Sequence, residues 1–173
     1  MIIANDMLGT GTRKQRCCFT GHRPEKLSVS EKEVVFSLRR EIEVAIDEGH
    51  TDFITGMARG VDIWAAEVVL EMRESGMPVR LICTSPYAGF EKNWSEEWQY
   101  RYSTVLDKAD LVLFICKRYS RSCFQIRNEW MVDHANRVIA VFNGEKGGTK
   151  NTIEYARARA VAISEIRIDK NSY

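Results

Sequence analysis

Short apolar runs recur along the chain, each separated from the next by enough residues for a helix. They are Cys17-Cys18-Phe19-Thr20, Phe53-Ile54-Thr55, residues 79–84 around Leu81-Ile82-Cys83, residues 111–116, and Val138-Ile139-Ala140-Val141-Phe142. Runs this short and this apolar suit strands buried on two faces. A sixth, Ile163 to Ile168, would close the sheet. Each run stops in glycine, serine or charged residues, and in an open parallel sheet those stops fall on one rim.

The intervening segments read as helices. Ser30-Glu31-Lys32-Glu33 is a capping box, in which serine and glutamate side chains satisfy free amides of a first helical turn. Val34, Leu38, Ile42 and Ala45 or Ile46 then recur at helical spacing, and Gly49 is placed to end the helix in a left-handed conformation. Asp62, as cap of its own first turn, predicts a second helix to near Gly76. A long amphipathic segment passes through Trp94, Trp98, Tyr102 and Leu106. Ser122 and Gln125 suggest a cap for a helix ending near Ala135, and a last helix starts near Thr149. Strands alternating with helices predict an α/β domain of Rossmann-like, doubly wound type, its mainly parallel sheet covered by helices on both faces. Ligands of such folds bind outside the carboxyl ends of the strands.

Residues 1–15 mix glycine, threonine and polar residues without period and are expected to form a flexible leader, with one domain from 16 to 173. A chain of 173 residues, 45% hydrophobic and 28% charged, has the core for a single domain. The 25 basic and 24 acidic residues give a formal charge of +1, which argues against a general nucleic-acid binder but leaves room for a local patch. The apolar runs are too short to span a bilayer and no signal-peptide pattern opens the chain, so no membrane partner and a cytoplasmic location are expected. Cys17, Cys18, Cys83, Cys116 and Cys123 lack metal-ligand spacing and are expected to be reduced and mostly buried, with Cys123, near a helix start, the one position suited to redox chemistry. No metal and no cofactor is implied.

Candidate chemistry lies on the predicted rim. Gly56-Met57-Ala58-Arg59-Gly60-Val61-Asp62 occupies a strand-to-helix turn, where glycines let backbone approach a ligand and free helix amides attract phosphate. Arg59 would supply a planar cation, and Asp62 either a cap or an acceptor for a ribose hydroxyl. Lys146-Gly147-Gly148-Thr149-Lys150-Asn151-Thr152 repeats the arrangement as an anion nest, without the spacing of a Walker loop. Gly21, His22 and Arg23 complete the rim, with His22 favoured as a ligand contact. Tyr87 and Tyr119, which follow strands directly, are the rings best placed to stack on a base, and Asn93 could bond a polar ligand edge.

Thr55 to Asp62 resembles the glycine-arginine-glycine signature of the DNA processing protein DprA. Together with Thr20-Gly21-His22-Arg23-Pro24, the Trp-rich third crossover, Arg127-Asn128-Glu129-Trp130-Met131-Val132-Asp133 and Gly147-Gly148-Thr149, the chain resembles the YpsA family from about Arg16 to Ile168. That family is a bacterial branch of the SLOG superfamily, which also holds DprA and the Lonely Guy enzymes. The resemblance implies binding or sensing of a nucleotide-derived small molecule, with Gly56, Arg59, Gly60 and Asp62 facing one half of it and Gly147, Gly148, Thr149 and Thr152 cradling its phosphate.

Two alternatives follow from the same resemblance. Lonely Guy phosphoribohydrolases carry an arginine on one helix and a Pro-Gly-Gly-x-Gly-Thr-x-x-Glu motif on the next, which would make Arg127 and Glu154 a catalytic pair for removing the base from a nucleoside monophosphate. Here Lys146 stands at the proline, Lys150 at the later glycine and Asn151 at the threonine of that motif. The other alternative is a DprA-like single-stranded DNA-binding module, against which the near-neutral charge argues, although Arg13, Lys14 and Arg16 could form a small basic arm. Resembling proteins often associate through helix faces, so a homodimer using Trp130 or Met131 is a further expectation.

Overall fold

The computed structural model of the protein describes Leu8 and residues 11–168. Its regular elements are β1 (Arg16–Gly21), α1 (Glu31–Asp47), β2 (Asp52–Thr55), α2 (Val61–Glu74), β3 (Arg80–Ser85), α3 (Glu96–Lys108), β4 (Leu111–Phe114), α4 (Cys123–Asp133), β5 (Arg137–Phe142), α5 (Gly148–Ala158) and β6 (Ala162–Arg167). The six strands form one sheet in the order β4-β3-β2-β1-β5-β6, and every neighbouring pair is parallel.

Strand periodicity sorts the core into two layers. Cys17 and Phe19 of β1, Leu81 and Cys83 of β3, and Ile139 and Val141 of β5 share one apolar cluster with residues of α1, α2 and α3. Their neighbours Cys18, Ile82, Val138 and Ala140 share the other with Met131, Val132, Ile153 and Ala156 of α4 and α5. Successive side chains of a strand point to opposite faces, so a run apolar at every position needs cover on both. Four of the five cysteines, Cys17, Cys18, Cys83 and Cys123, are buried and all are free. Burial pushes the thiols of Cys17 and Cys83 well above the ordinary range, which leaves them inert apolar filling.

Helix α1 carries out its sequence signature in full. Ser30 Oγ accepts from Glu33 N at 3.3 Å while Glu33 Oε2 accepts from Ser30 N at 2.8 Å. Gly49 follows the helix at φ +95°. Val34, Leu38, Ile42 and Ala45 are the buried face, and each large side chain contributes about 1.5–3 kcal/mol by leaving water.

Other starts differ. Ser122 occupies the N-cap position of α4 but makes no side-chain capping bond, because its backbone is already near-helical at φ −96°, ψ −5°. Trp94 precedes α3 instead of lying within it, in a turn closed by its own amide on Glu91 O at 2.9 Å. Of the expected leader, Leu8 is buried at 1% exposure and residues 13–15 form a turn whose Arg13 Nε donates to Ala135 O at 3.0 Å; residues 1–7, 9 and 10 lie outside the described residues. Among the described residues, no helix is long and apolar enough to cross a membrane.

Candidate functional site

Strand order sets where a site can form. From β1 the chain steps outward through β2, β3 and β4 with α1, α2 and α3 on one face, then α4 carries it back across the other face to β5, beside β1. Connections leaving β1 and β5 therefore diverge to opposite faces and open a crevice between them. A cleft of about 310 Å³ occupies this position. Thr20 to Arg23, Glu25 and Lys26 line it from the β1 exit, Ala58 and Asp62 from the β2 exit, and Phe90 from the β3 exit. Phe124, Arg127 and Asn128 of α4, with Gly148 and Thr149 of α5, supply the rest.

The glycines on its near side bring two loops together. A Cβ on Gly21 would lie 2.5 Å from the Val61 side chain, and one on Gly60, at φ +88°, would lie 2.8 Å from His22 O. Gly56 has the same role toward charge: its Cβ would meet Arg127 Nη1 at 2.6 Å and Asp62 Oδ2 at 2.8 Å. These glycines thus allow the β1 exit to seat on the start of α2 and let two ionisable groups approach the backbone.

Those two groups form the floor. Arg127 is 4% exposed and donates from Nη1 to Gly56 O and from Nε to Asn128 Oδ1, the latter at 2.8 Å. Asp62 is 5% exposed, and its carboxylate accepts from Ala58 N at 3.2 Å, reaching back over the loop instead of capping its own helix; the N-cap is Gly60. Burial pushes the Asp62 carboxyl up to about 6, against the opposing pull of Arg127 and the Ala58 amide. Burial likewise lowers Arg127, with Asp62 acting in the opposite sense.

A carboxyl whose folded pKa exceeds its unfolded value favours folding when protonated. Its contribution is full below the ordinary 3.8 and is lost as pH rises through about 6. The stability difference between wild type and Asp62→Asn should therefore shift by about 3 kcal/mol against wild type across that window, read from urea denaturation at a series of pH values. A difference independent of pH would show that Asp62 is not desolvated.

On the far side, α5 starts at Gly148 after Gly147, whose φ of +149° suits glycine, and no side chain caps it. Gly147, at the N-cap, has no side chain to accept from the first amides of α5, a usual setting for a bound anion. His22 is 5% exposed, stacks on Phe142 with ring centroids 5.8 Å apart, and has a buried Nε2 without a partner among the described residues. Burial, with Lys26 adding to it, holds His22 below the usual histidine range, so the ring is neutral at neutral pH.

The structure brings together Gly21, His22, Arg23, Asp62, Arg127, Gly148 and Thr149 around the cleft. Gly56 and Gly60 support it from behind, and Gly147 precedes the start of α5. Arg59 is not part of the lining; it is bonded to Glu25 Oε1 at 3.0 Å, with its guanidinium 6.0 Å from the Trp94 ring centroid. Thr152 is buried with its hydroxyl donating to Gly148 O at 2.8 Å, and is not part of the lining. Glu154 is exposed on α5, 3.6 Å from Lys150, and does not share the cleft with Arg127; the carboxylates that do are Glu25 and the buried Asp62. Asn93 is exposed outside the lining, and Tyr87 lies behind it in a ring cluster with Phe90, Phe124 and Tyr119.

Asn128, from the Arg127-to-Asp133 motif, also lines the cleft, as do Phe90, Phe124, Glu25 and Lys26, which no sequence motif singles out. Phe90 follows Tyr87 by three residues and Phe124 follows Tyr119 by five, so the rings that line the cleft are near neighbours of the two tyrosines. A larger hollow of about 660 Å³ opens at the amino ends of the strands, beside Gly11 and Thr12. Its cations are engaged by the fold: Arg13 on Ala135 O, Arg16 with Asp52, and Arg159 with Asp133.

Comparison with known proteins agrees with this architecture. The fold is similar to DNA processing protein A (DprA) of Streptococcus pneumoniae, with a TM-score of 0.65 and 16% identity, covering 88% of this chain and 50% of that one. It is also similar to DprA of Helicobacter pylori, with a TM-score of 0.61 and 18% identity, covering 89% of this chain and 65% of that one. The chain thus spans half to two thirds of those proteins. In sequence it is 32% identical over 144 residues to a UPF0398 protein of Ligilactobacillus salivarius, covering 78% of this chain and 79% of the relative. A UPF0398 protein of Bacillus cereus is 29% identical over 149 residues, with 81% of each chain covered. The model of the YpsA family, described as the YspA SLOG family, matches residues 17–170, and the chain belongs to that family.

Proposed function

We propose that the cleft binds a nucleotide-derived small molecule and that the protein acts as its receptor or sensor. The observation that carries this is the pairing, across one cleft at the switch point, of an uncapped helix start at Gly148 with the buried Arg127 and Asp62. The helix start offers amides to a phosphate. Asp62 and Asn128 offer polar atoms to ribose hydroxyls, and Phe90 and Phe124 offer ring surface to a base. A volume of about 310 Å³ suits a compact ligand of mononucleotide size.

Binding without turnover is favoured over phosphoribohydrolysis because Glu154, the glutamate that chemistry would require, is on the solvent side of α5 with Lys150. DprA of Helicobacter pylori has a single-stranded DNA binding mode of its own. For this chain the cleft favours a small molecule over a DNA module.

The test is a thermal-shift screen against nucleoside mono- and diphosphates, with chromatography of every hit. A ligand that binds only the folded state raises the apparent Tm as it saturates. Wild type should shift and return the ligand intact, and Gly148→Asp should abolish the shift. A Cβ at Gly148 finds its nearest atom 3.8 Å away, so the variant folds while placing a carboxylate where phosphate would sit. No shift with any nucleotide, or an unchanged shift in Gly148→Asp, would overturn the reading. Release of free base that disappears in Glu154→Gln would replace it with hydrolysis.

A further inference from the structure

The connection from β4 to α4, Lys117-Arg118-Tyr119-Ser120-Arg121-Ser122, is wholly exposed on the same rim as the cleft. Between Asp110 and Glu129 the chain has no acidic residue. Thirteen ion pairs occupy charged side chains elsewhere, yet none engages Lys117, Arg118 or Arg121 among the described residues. A near-neutral chain therefore carries a local cationic segment. Unpaired cations on an otherwise balanced surface give a directed field for an anion.

Tyr119 lies in this segment with 62% of its surface exposed. Its ring is not isolated. It meets Tyr87 edge-on at 5.7 Å and Phe124 at 6.5 Å, and Phe124 lines the cleft. A continuous aromatic surface thus leads from the cleft wall to a solvent-facing ring flanked by free cations.

We infer that the ligand extends beyond the cleft: it is a phosphodiester-linked nucleotide whose second base stacks on Tyr119 and whose linking phosphate faces Lys117, Arg118 and Arg121. This rests on the proposed nucleotide cleft and adds a second subsite to it. A base has a π-face whatever its identity, so stacking there tolerates sequence, and the cations add attraction for the backbone. Free dinucleotides and the end of a single-stranded nucleic acid share this chemistry.

The experiment compares adenosine 5′-monophosphate, the 5′-phosphorylated dinucleotide pApA and a longer oligoadenylate on the full chain by calorimetry. The dinucleotide should bind roughly tenfold more tightly than the mononucleotide. Tyr119→Leu should remove that gain and leave mononucleotide affinity unchanged, and Arg118→Glu with Arg121→Glu should do the same. Tyr119 is exposed enough that its replacement leaves folding intact. A longer strand binding no better than pApA assigns the site to dinucleotides, whereas further gain with length assigns it to a strand end; each supports the second subsite. Equal affinity for mononucleotide and dinucleotide, or a gain that survives Tyr119→Leu, would overturn the inference while the cleft reading stands. Failure of all three ligands to bind, together with no thermal shift from any nucleotide, would overturn both.

Discussion

Replacing Arg127 with leucine should destabilise the protein by about 3 kcal/mol near neutral pH, because the Asp62 carboxyl, which burial already raises to about 6, loses the nearby charge opposing that rise and must take up a proton to stay buried. Gly56 O also loses its donor. The loss is expected to be smaller in the double variant with Asp62→Asn, since an amide carries no charge to strand. Urea denaturation of the two single variants and the double variant gives the coupling directly. Arg127→Lys is the informative intermediate: it keeps a cation but cannot hold Gly56 O and Asn128 Oδ1 from one planar fork. A double variant no more stable than the arginine variant alone would show that the two groups do not sense each other.

That pair also explains why the site is only partly legible in the sequence. Asp62, on α2, and Arg127, on α4, are separated by two strands and one helix, and no local pattern couples them. The sheet brings them together because β1 to β4 place Asp62 on one helix face while the β4-to-β5 crossover places Arg127 on the other. Asp62 as a helix cap is a sound local reading, since aspartate at a helix start is favoured. Gly60 at φ +88° takes the capping position instead and turns the carboxylate toward Ala58.

The fold itself is written locally. Strands apolar at every position announce a sheet covered on both faces, and the Ser30–Glu33 box and Gly49 mark the two ends of α1 by their own chemistry. The aromatic rings show the limit of that reading. Tyr87 and Phe90 are equally plausible from sequence, and only packing against Phe124 decides that Phe90 lines the cleft while Tyr87 supports it. Glu154 falls at the position of a motif glutamate, but its helical phase puts it opposite the buried Thr152, Ile153 and Ala156. Motif spacing fixes distance along a helix without fixing the face it presents.

Gly60→Ala is the substitution expected to do most damage to the loops. Alanine at φ +88°, ψ −126° occupies a backbone region that side chains strongly disfavour, at about 1–3 kcal/mol. Its Cβ would also lie 2.8 Å from His22 O and 2.9 Å from Pro24 Cδ, and neither is the end of a flexible side chain. Displacing the β1 exit to relieve that contact adds about 1–3 kcal/mol. The displaced segment carries Gly21, His22 and Arg23, so ligand affinity should fall together with stability. Gly148→Ala is the matched control: its Cβ has no neighbour closer than 3.8 Å, and stability should change little. Thermal unfolding separates the two, and a Gly60→Ala protein as stable as Gly148→Ala would mean that the β1 and β2 exits are not seated on each other.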